Sequence, residues 1–184
     1  SSFSLLVGKI QGTIVDYLMP PLAVGELMIA LVGAAITRAI LVGLALWLAM
    51  LLWPGVHVMP AHPWAVAVFG VLGAAMLGFL GLITSVWAEK FDHAAAVTNF
   101  VVTPLALLSG TFYSVDRLAP WFQAVAHANP VYYAIMGFRY GFIGTVDSTI
   151  ANPVATAALV LVAVNIALGV LTYRLLVSGW KLKA

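Results

Sequence analysis

Long apolar segments are the feature that most constrains how this chain can fold. Residues 26–53, 64–87 and 154–177 each exceed the ~20 apolar residues that cross the hydrocarbon core of a bilayer. Residues 94–112 form a fourth such segment, which Pro104 interrupts. Charged residues make up only 8% of the chain, whereas a soluble domain carries about 25%. The sequence therefore predicts an all-α integral membrane protein with four transmembrane helices.

The segment between the third and fourth of these helices is apolar, but prolines interrupt it too often for one continuous transmembrane helix. Pro120 and Pro130 each remove a backbone donor and clash with the preceding turn of a helix. In lipid, every freed backbone group must find a partner in the protein or in water. We therefore expect residues 114–148 to form two short re-entrant or interfacial helices, over 118–127 and 130–143, on one side of the membrane.

The basic residues predict which side that is. Most of them lie at the start of the chain, in the loop between the second and third spans, and at the end of the chain: Lys9, Lys90, Arg174, Lys181 and Lys183. The loop at residues 54–63 has none. Because Lys and Arg are enriched in cytoplasmic loops, both ends of this chain are predicted to be cytoplasmic and residues 114–148 to lie outside. Arg117 and Arg139 depart from this rule, since they fall in the outer segment.

A short segment precedes the first span and differs from it in character. Residues 10–25 contain the acidic Asp16 and a Pro20-Pro21 pair that stops a helical pattern. The apolar residues of that pattern recur at helical spacing, at Ile14, Leu18 and Leu22. We expect a short amphipathic helix that lies at the cytoplasmic surface of the membrane, followed by a turn.

Arg38 is a charged residue inside the first predicted span, where a charge is costly. One interpretation is that it lies near enough to one end of the span to reach the interface, or that it is paired inside the bundle. The other interpretation is that it lines the route of a transported molecule. The sequence leaves both interpretations open.

Several kinds of chemistry find little support in the sequence. The chain has no Cys and no P-loop for ATP, and its net charge of +2 is too small to indicate nucleic-acid binding. His57 and His62 are too few for a metal site, which needs three or four protein ligands. Ser109 and His127 keep an intramembrane enzyme as one alternative, although one Ser and one His are weak support for it. A non-transporting membrane scaffold is the other alternative.

The order of these features resembles that in ABC-2 type exporter permeases, the membrane subunits of bacterial exporters for nodulation factors, polysaccharides and drugs. The resemblance covers essentially the whole chain and is most specific at Pro104, Ser109-Gly110, Phe112-Tyr113-Ser114, Pro120, Asn129-Pro130 and Gly137-Phe138-Arg139-Tyr140-Gly141. Permeases of this family have six spans, and the start of this chain resembles the end of the second. The resemblance therefore implies a single transmembrane domain over residues 1–184 that lacks the first two family spans.

The resemblance also implies partners. Residues 10–25 would be the coupling helix that docks on a separate ABC ATPase subunit, through a short rigid contact formed by Asp16, Tyr17, Pro20 and Pro21. ATP and Mg²⁺ would be bound by that subunit, and the permease itself would need no cofactor. Two permeases, identical or different, would pair in the bacterial inner membrane.

The same resemblance assigns expected roles to residues near the transported molecule. Arg38 would lie on the transport path or be a buried charge. The outer helices would anchor in the interface, close the outer mouth, or do both, through Trp121, Tyr132, Tyr133, Phe138, Arg139 and Tyr140. Such a permease would move an amphiphilic substrate, meaning a lipid-linked glycan, a lipid or a drug, out of the cytoplasm.

Overall fold

The computed structural model describes residues 6–8, 10–11, 23–52, 59–111, 119–146, 150 and 152–178. The helices with defined bounds are α1 (Val24–Leu51), α2 (Pro63–Trp87), α3 (Phe91–Val97), α4 (Thr103–Leu108), α5 (Pro120–Ala128), α6 (Pro130–Ile143) and α7 (Pro153–Ser178). A π-helical turn, Thr98–Val102, joins α3 to α4. None of the described residues belongs to a β-strand.

Within the described ranges, four helical segments are long and apolar enough to cross a membrane. They are α1, α2, α7 and the continuous run Phe91–Leu108, which consists of α3, the π turn and α4. The predicted fold class, an all-α membrane protein with four spans, is therefore confirmed. Most of the predicted coupling helix lies outside the described residues, including Asp16, Tyr17, Pro20 and Pro21.

α2 is the centre of the bundle, because α1, α6 and α7 all pack along it. Its contact with α1 is close: a Cβ atom placed on Gly78 would lie 3.3 Å from the Ala35 Cβ and 3.6 Å from a methyl carbon of Val32. Small residues at such positions let two helix backbones approach each other. Only the first half of α1 makes this contact, and almost all side chains of its second half are exposed.

Contacts at the two ends of the bundle define how the helices are arranged. Val24 of α1 packs against Val86 of α2 and Leu176 of α7. At the other end, the His62 backbone N–H donates to the Gly141 carbonyl oxygen at 2.8 Å. The start of α1 therefore lies beside the ends of α2 and α7, whereas the start of α2 lies beside the end of α6.

The third span changes its helical geometry just before Pro104. A proline has no N–H to donate, and its ring clashes with the carbonyl group four residues earlier. The helix widens here to the π turn, in which the backbone N–H and the hydroxyl of Thr103 both donate to the Thr98 carbonyl oxygen. Prolines and π turns are the usual causes of helix kinks. The interruption predicted at Pro104 therefore takes the form of a π turn directly before the proline.

This third span starts and ends earlier than the predicted 94–112. It ends at Leu108 because the Ser109 N–H turns back to the Ala106 carbonyl oxygen at 3.4 Å. Gly110 follows with a φ of 77°, in the left-handed region that residues with a Cβ atom rarely adopt. The glycine thus allows the chain to leave the helix at this point.

α5 and α6 form a hairpin, and α6 is too short to cross the bundle. Its 14 residues extend ~21 Å at ~1.5 Å per residue, which is less than the ~30 Å of a hydrocarbon core. α6 runs antiparallel to α2, with Ala134 against Gly73, Phe138 against Gly70, and Gly141 against Val66. It therefore begins near the middle of α2 and ends beside the first turn of α2.

Two glycines bring the backbone of α6 directly against α2. A Cβ atom placed on Gly137 would lie 2.2 Å from Cδ1 of Phe69, and one on Gly141 would lie 2.5 Å from a methyl carbon of Val66. Cβ atoms do not approach other atoms this closely, and the Phe69 ring is only 1% exposed. Any side chain at either glycine would push α6 away from α2.

We predict that Gly137→Ala destabilises the protein by ~1–3 kcal/mol, the usual cost of overpacking a core, because the buried Phe69 ring has no room to move aside. Thermal unfolding of the full chain in detergent micelles, followed by circular dichroism, measures this. Gly43→Ala is the matched control, since nothing lies within 4 Å of a Cβ atom at that helical position. Equal melting temperatures for Gly137→Ala and the wild type would show that the contact between α6 and α2 is looser than described.

Candidate functional site

Asn129 holds the tip of the hairpin and is only 3% exposed. Its Oδ1 accepts a hydrogen bond from the Val131 backbone N–H at 3.0 Å and thereby caps the start of α6. Its Nδ2 donates to the Leu105 carbonyl oxygen of the third span at 2.6 Å. Pro130 occupies the first position of α6, where a missing N–H does no harm. One side chain therefore satisfies backbone groups of two different helices.

The Leu105 carbonyl oxygen is free to accept this bond because the third span ends just after it. In a continuous α-helix, the N–H of Ser109 would occupy that oxygen. Instead, this N–H donates to the Ala106 carbonyl oxygen. Unpaired backbone groups are costly in lipid. The Asn129 side chain therefore supplies the hydrogen-bond donor that the Leu105 carbonyl oxygen lacks where the third span ends.

Tyr132 and Tyr133 fasten α6 to α5. The Tyr133 hydroxyl donates to the His127 carbonyl oxygen at 3.0 Å, which satisfies a group at the end of α5 that has no helical partner. The Tyr132 and His127 rings lie 5.2 Å apart between centroids. Both tyrosines are buried in the protein core, which differs from the outer aromatic surface that the sequence predicted. Burial is favourable for Tyr133 because its hydroxyl finds a partner inside the protein.

The other residues of the predicted outer set lie nearer to the surface of the hairpin. The Trp121 side chain is 63% exposed, and Phe138 and Arg139 are also exposed. Tyr140 is partly buried and stacks on His62 with ring centroids 4.7 Å apart. Aromatic side chains are enriched where a membrane meets water, and the exposed rings of Trp121 and Phe138 suit such a place. All four residues are more accessible than the buried Tyr132 and Tyr133.

Arg38 is exposed on α1, and no described carboxylate pairs with it. It lies one turn beyond Ala35, whose Cβ faces Gly78 in the second half of α2. Because α1 and α2 are antiparallel, this register places Arg38 level with the middle of α2. Among the described residues, Arg38 therefore lies far from both ends of α1 and is not buried. Its pairing and its place on a transport route both stay predictions.

Asn165, which is not among the site residues predicted from the sequence, ties α7 to α2 at a similar depth. Its Nδ2 donates to the Leu72 carbonyl oxygen at 3.1 Å and to the Leu161 carbonyl oxygen at 2.8 Å. Its Oδ1 is buried without a hydrogen-bond partner among the described residues. An amide in the middle of an apolar span was the available signal, because polar side chains often join helices in membranes.

The structure does not join Ser109 and His127 into a catalytic pair. The Ser109 hydroxyl donates to the Ala106 carbonyl oxygen and lies 3.0 Å from the Thr111 hydroxyl oxygen. No hydrogen bond between Ser109 and His127 is found in the part of the chain that is described. That part also contains no group of three His, Asp or Glu residues able to hold a metal ion. The polar groups therefore position helices, and no arrangement for bond chemistry is present among them.

We predict that Asn129→Leu destabilises the protein more than Asn129→Ser. Serine keeps an oxygen that caps α6 but is too short to reach Leu105, so it should lose about 0.6 kcal/mol, the average value of an interhelical hydrogen bond in a membrane. Leucine also loses the cap, which is worth about 1 kcal/mol more. Thermal unfolding in detergent micelles compares the two variants. If both variants have the same melting temperature as the wild type, Asn129 does not hold the hairpin.

The comparisons with known proteins agree with this architecture. The family model described as ABC-2 type transporter matches residues 1–143. The inner membrane transport permease YadH of Escherichia coli K12 is 34% identical over 182 residues, which cover 98% of this chain and 68% of YadH. Nodulation protein J of Neorhizobium galegae is 26% identical over 127 residues, which cover 67% of this chain and 46% of that protein.

A second nodulation protein J, from Rhizobium leguminosarum bv. viciae, is 27% identical over 139 residues, which cover 74% of this chain and 53% of the relative. No solved structure is significantly similar to the chain. The family match covers more than half of the chain, and the resemblance stated from the sequence is confirmed. With its four candidate spans, this chain belongs to the ABC-2 type transporter family, as a multi-pass membrane permease subunit and not an enzyme.

Proposed function

We propose that this chain is the membrane-spanning part of an ABC exporter, which moves an amphiphilic substrate out of the cytoplasm with ATP hydrolysed by a separate subunit. The observation that carries the proposal is the family match over residues 1–143. A lipid-linked glycan, a lipid or a drug would suit the largely apolar surface of the spans. The relative named as an inner membrane transport permease supports a place in the bacterial inner membrane.

The energy for transport would reach this chain through its cytoplasmic face. Residues 10–25 would dock on the ATPase subunit, with the contact made by Asp16, Tyr17, Pro20 and Pro21. The ATPase would bind ATP and Mg²⁺, so the permease would carry neither. Two permeases, identical or different, would pair over two ATPase subunits. Closure of the ATPase pair would push the coupling helices, and the spans would then move as rigid bodies.

The hairpin of α5 and α6 would close the outer mouth of the route. Its contact with α2 through Gly137 and Gly141 is tight, so α6 would move together with α2. Its tip is tied to the third span through the bond from Asn129 to Leu105, which would break and re-form as the mouth opens and closes. The exposed Trp121, Phe138 and Arg139 and the partly buried Tyr140 would meet the interface or the leaving substrate. The buried pair Tyr132 and Tyr133 would keep the hairpin rigid.

We predict that the double substitution Asp16→Ala and Tyr17→Ala uncouples the exporter. An aromatic and a charge at a small contact are typical hot spots, and losing one costs roughly 2 kcal/mol or more. That corresponds to about a thirtyfold loss of affinity for the ATPase. ATP hydrolysis and transport by the reconstituted permease and ATPase measure the effect, and both should lose their stimulation by substrate.

The charged turn between α2 and α3 provides a matched control for this experiment. Lys90→Ala with Asp92→Ala also removes two exposed side chains from a loop that the positive-inside rule puts on the cytoplasmic side. This control variant should retain coupled hydrolysis. If the Asp16 and Tyr17 variant hydrolyses ATP and transports substrate as well as the control does, residues 10–25 are not the contact.

We predict that Pro54–Pro63 and Ser114–Ser148 face outward, whereas Glu89–His93 and Lys181–Ala184 face the cytoplasm. The prediction rests on the distribution of Lys and Arg, and the contact between the start of α2 and the end of α6 supports placing those two segments on one side. The chain has no Cys, so single Cys residues introduced at positions 61 and 183 can be labelled separately in intact cells. An impermeant reagent should label only position 61, and labelling of position 183 from outside would refute the orientation.

A further inference from the structure

Asn165, near the middle of α7, carries an oxygen atom that the packed bundle leaves without a hydrogen bond. Its Nδ2 donates to the Leu72 carbonyl oxygen of α2 at 3.1 Å and to the Leu161 carbonyl oxygen of α7 at 2.8 Å. Its Oδ1 is buried and has no hydrogen-bond partner among the described residues. The amide cannot relieve this by turning over, because its two partners are carbonyl oxygens, which only accept hydrogen bonds.

The contact between α2 and α7 closes this oxygen off from donors outside it. A water molecule beside the Oδ1 of Asn165 would need accessible surface on that atom, and the atom is buried. A lipid or a further helix on the outside of the bundle covers more surface, but it does not reach an atom that is already inaccessible. The unpaired oxygen is therefore a property of the contact itself and persists while the two helices stay packed.

The two hydrogen bonds from the Nδ2 of Asn165 add little to offset this cost. Leu72 and Leu161 lie inside α2 and α7, where each carbonyl oxygen already accepts from the N–H four residues later. Removing the amide would therefore leave neither carbonyl oxygen unpaired. Interhelical hydrogen bonds in membranes are weak on average, whereas a buried acceptor without a donor keeps its full desolvation penalty. The net effect of Asn165 is to weaken the packed contact.

We propose that Asn165 is a built-in weak point of the contact between α2 and α7, at which the two helices separate and admit water to the Oδ1. In this open form, water supplies the hydrogen bond that the packed form denies to the oxygen. The amide thus lowers the free energy of the open form relative to the packed form. The proposal concerns the movement of the helices and goes beyond the export function, because it does not depend on any substrate.

The packing around α2 indicates which parts would move. α6 is held against α2 at Gly137 and Gly141, where the two backbones are in direct contact. α7 packs on both α2 and α6, and it is joined to α2 by the Asn165 amide. Opening at Asn165 would therefore displace α7 from the unit that α2 and α6 form together.

The rate at which a buried thiol is modified measures how often the contact opens. The chain has no Cys, so Ala157→Cys introduces a single thiol at a residue that is 0% exposed and lies two turns before Asn165 on α7. N-ethylmaleimide should react only when the helices separate, because the thiolate is the reactive form and a thiol buried in apolar surroundings is inert. The purified full chain is studied in uncharged detergent micelles, without ATP or an ATPase.

We expect Asn165→Leu, added to Ala157→Cys, to slow this modification about tenfold and to raise the melting temperature. Leucine has nearly the same shape as asparagine and carries no acceptor that needs a donor, so it favours the packed form. A tenfold change corresponds to about 1.4 kcal/mol, which lies within the range for an unpaired buried acceptor. If Asn165 instead held the helices together, this substitution would speed modification and lower the melting temperature.

Thr172→Val is the matched control on the same helix. Thr172 is 0% exposed, and its hydroxyl donates to the Leu168 carbonyl oxygen at 2.7 Å. This substitution also makes α7 more apolar, but it removes a hydroxyl that already has a partner, so the rate should stay nearly unchanged. Asn165→Met, whose flexible side chain adapts to irregular gaps, serves as the test if Asn165→Leu does not fold.

Several outcomes would overturn the proposal. They are an unreactive thiol in the chain that keeps Asn165, an unchanged or faster rate in Asn165→Leu, and an equal slowing in Thr172→Val. Failure of both Asn165→Leu and Asn165→Met to fold, while Thr172→Val folds, would show that the bundle requires the amide and would overturn it too. Absence of ATP-driven transport would contradict the export function alone, because modification of the thiol is measured without ATP.

Discussion

The need to satisfy every backbone group inside a membrane governs how this chain is put together. A regular span meets that need alone, because each carbonyl oxygen accepts from the N–H four residues later. The third span does not, since Pro104 lacks an N–H and the helix stops at Leu108. Its free Leu105 carbonyl oxygen is paired from outside by Asn129. The hairpin therefore completes the backbone hydrogen bonding of the interrupted third span.

The same requirement explains why the hairpin can lie so deep. The end of α5 and the start of α6 both leave unpaired backbone groups. Ala126 and Tyr132, on the two sides of the tip, are buried in the same core cluster as Met76 and Leu161. Tyr133 pairs one of these groups and Asn129 pairs another. With those groups satisfied, packing rather than polarity decides the position of α6, and glycines at the contact let it approach α2 at backbone distance.

The sequence was sufficient for the parts of the fold that depend on local properties. Apolar length predicted the four spans, and the interruption at Pro104 follows from proline chemistry alone. The environment of Tyr132 and Tyr133 could not be read in this way, because an aromatic residue near a proline suits both an interface and a core. Their burial depends on a hydrogen-bond partner, the His127 carbonyl oxygen, that exists only once α5 and α6 are packed. The position of Arg38 at mid-depth likewise depends on the register between Gly78 and Ala35, which no single helix specifies.

The two attachments of the hairpin differ in how easily they can change. The attachment to α2 is a close-packed surface in which Phe69 and Val66 fill the space that glycines leave, and such interfaces shift as units because cores are not continuously deformable. The attachment to the third span is a hydrogen bond from one side chain, and interhelical hydrogen bonds in membranes are worth only about 0.6 kcal/mol on average. A rigid-body movement of α2 would carry α6 with it and would break the contact at the tip first. If the hairpin separates from the third span during transport, the junction of Asn129 with Leu105 is therefore the place where the least free energy is required.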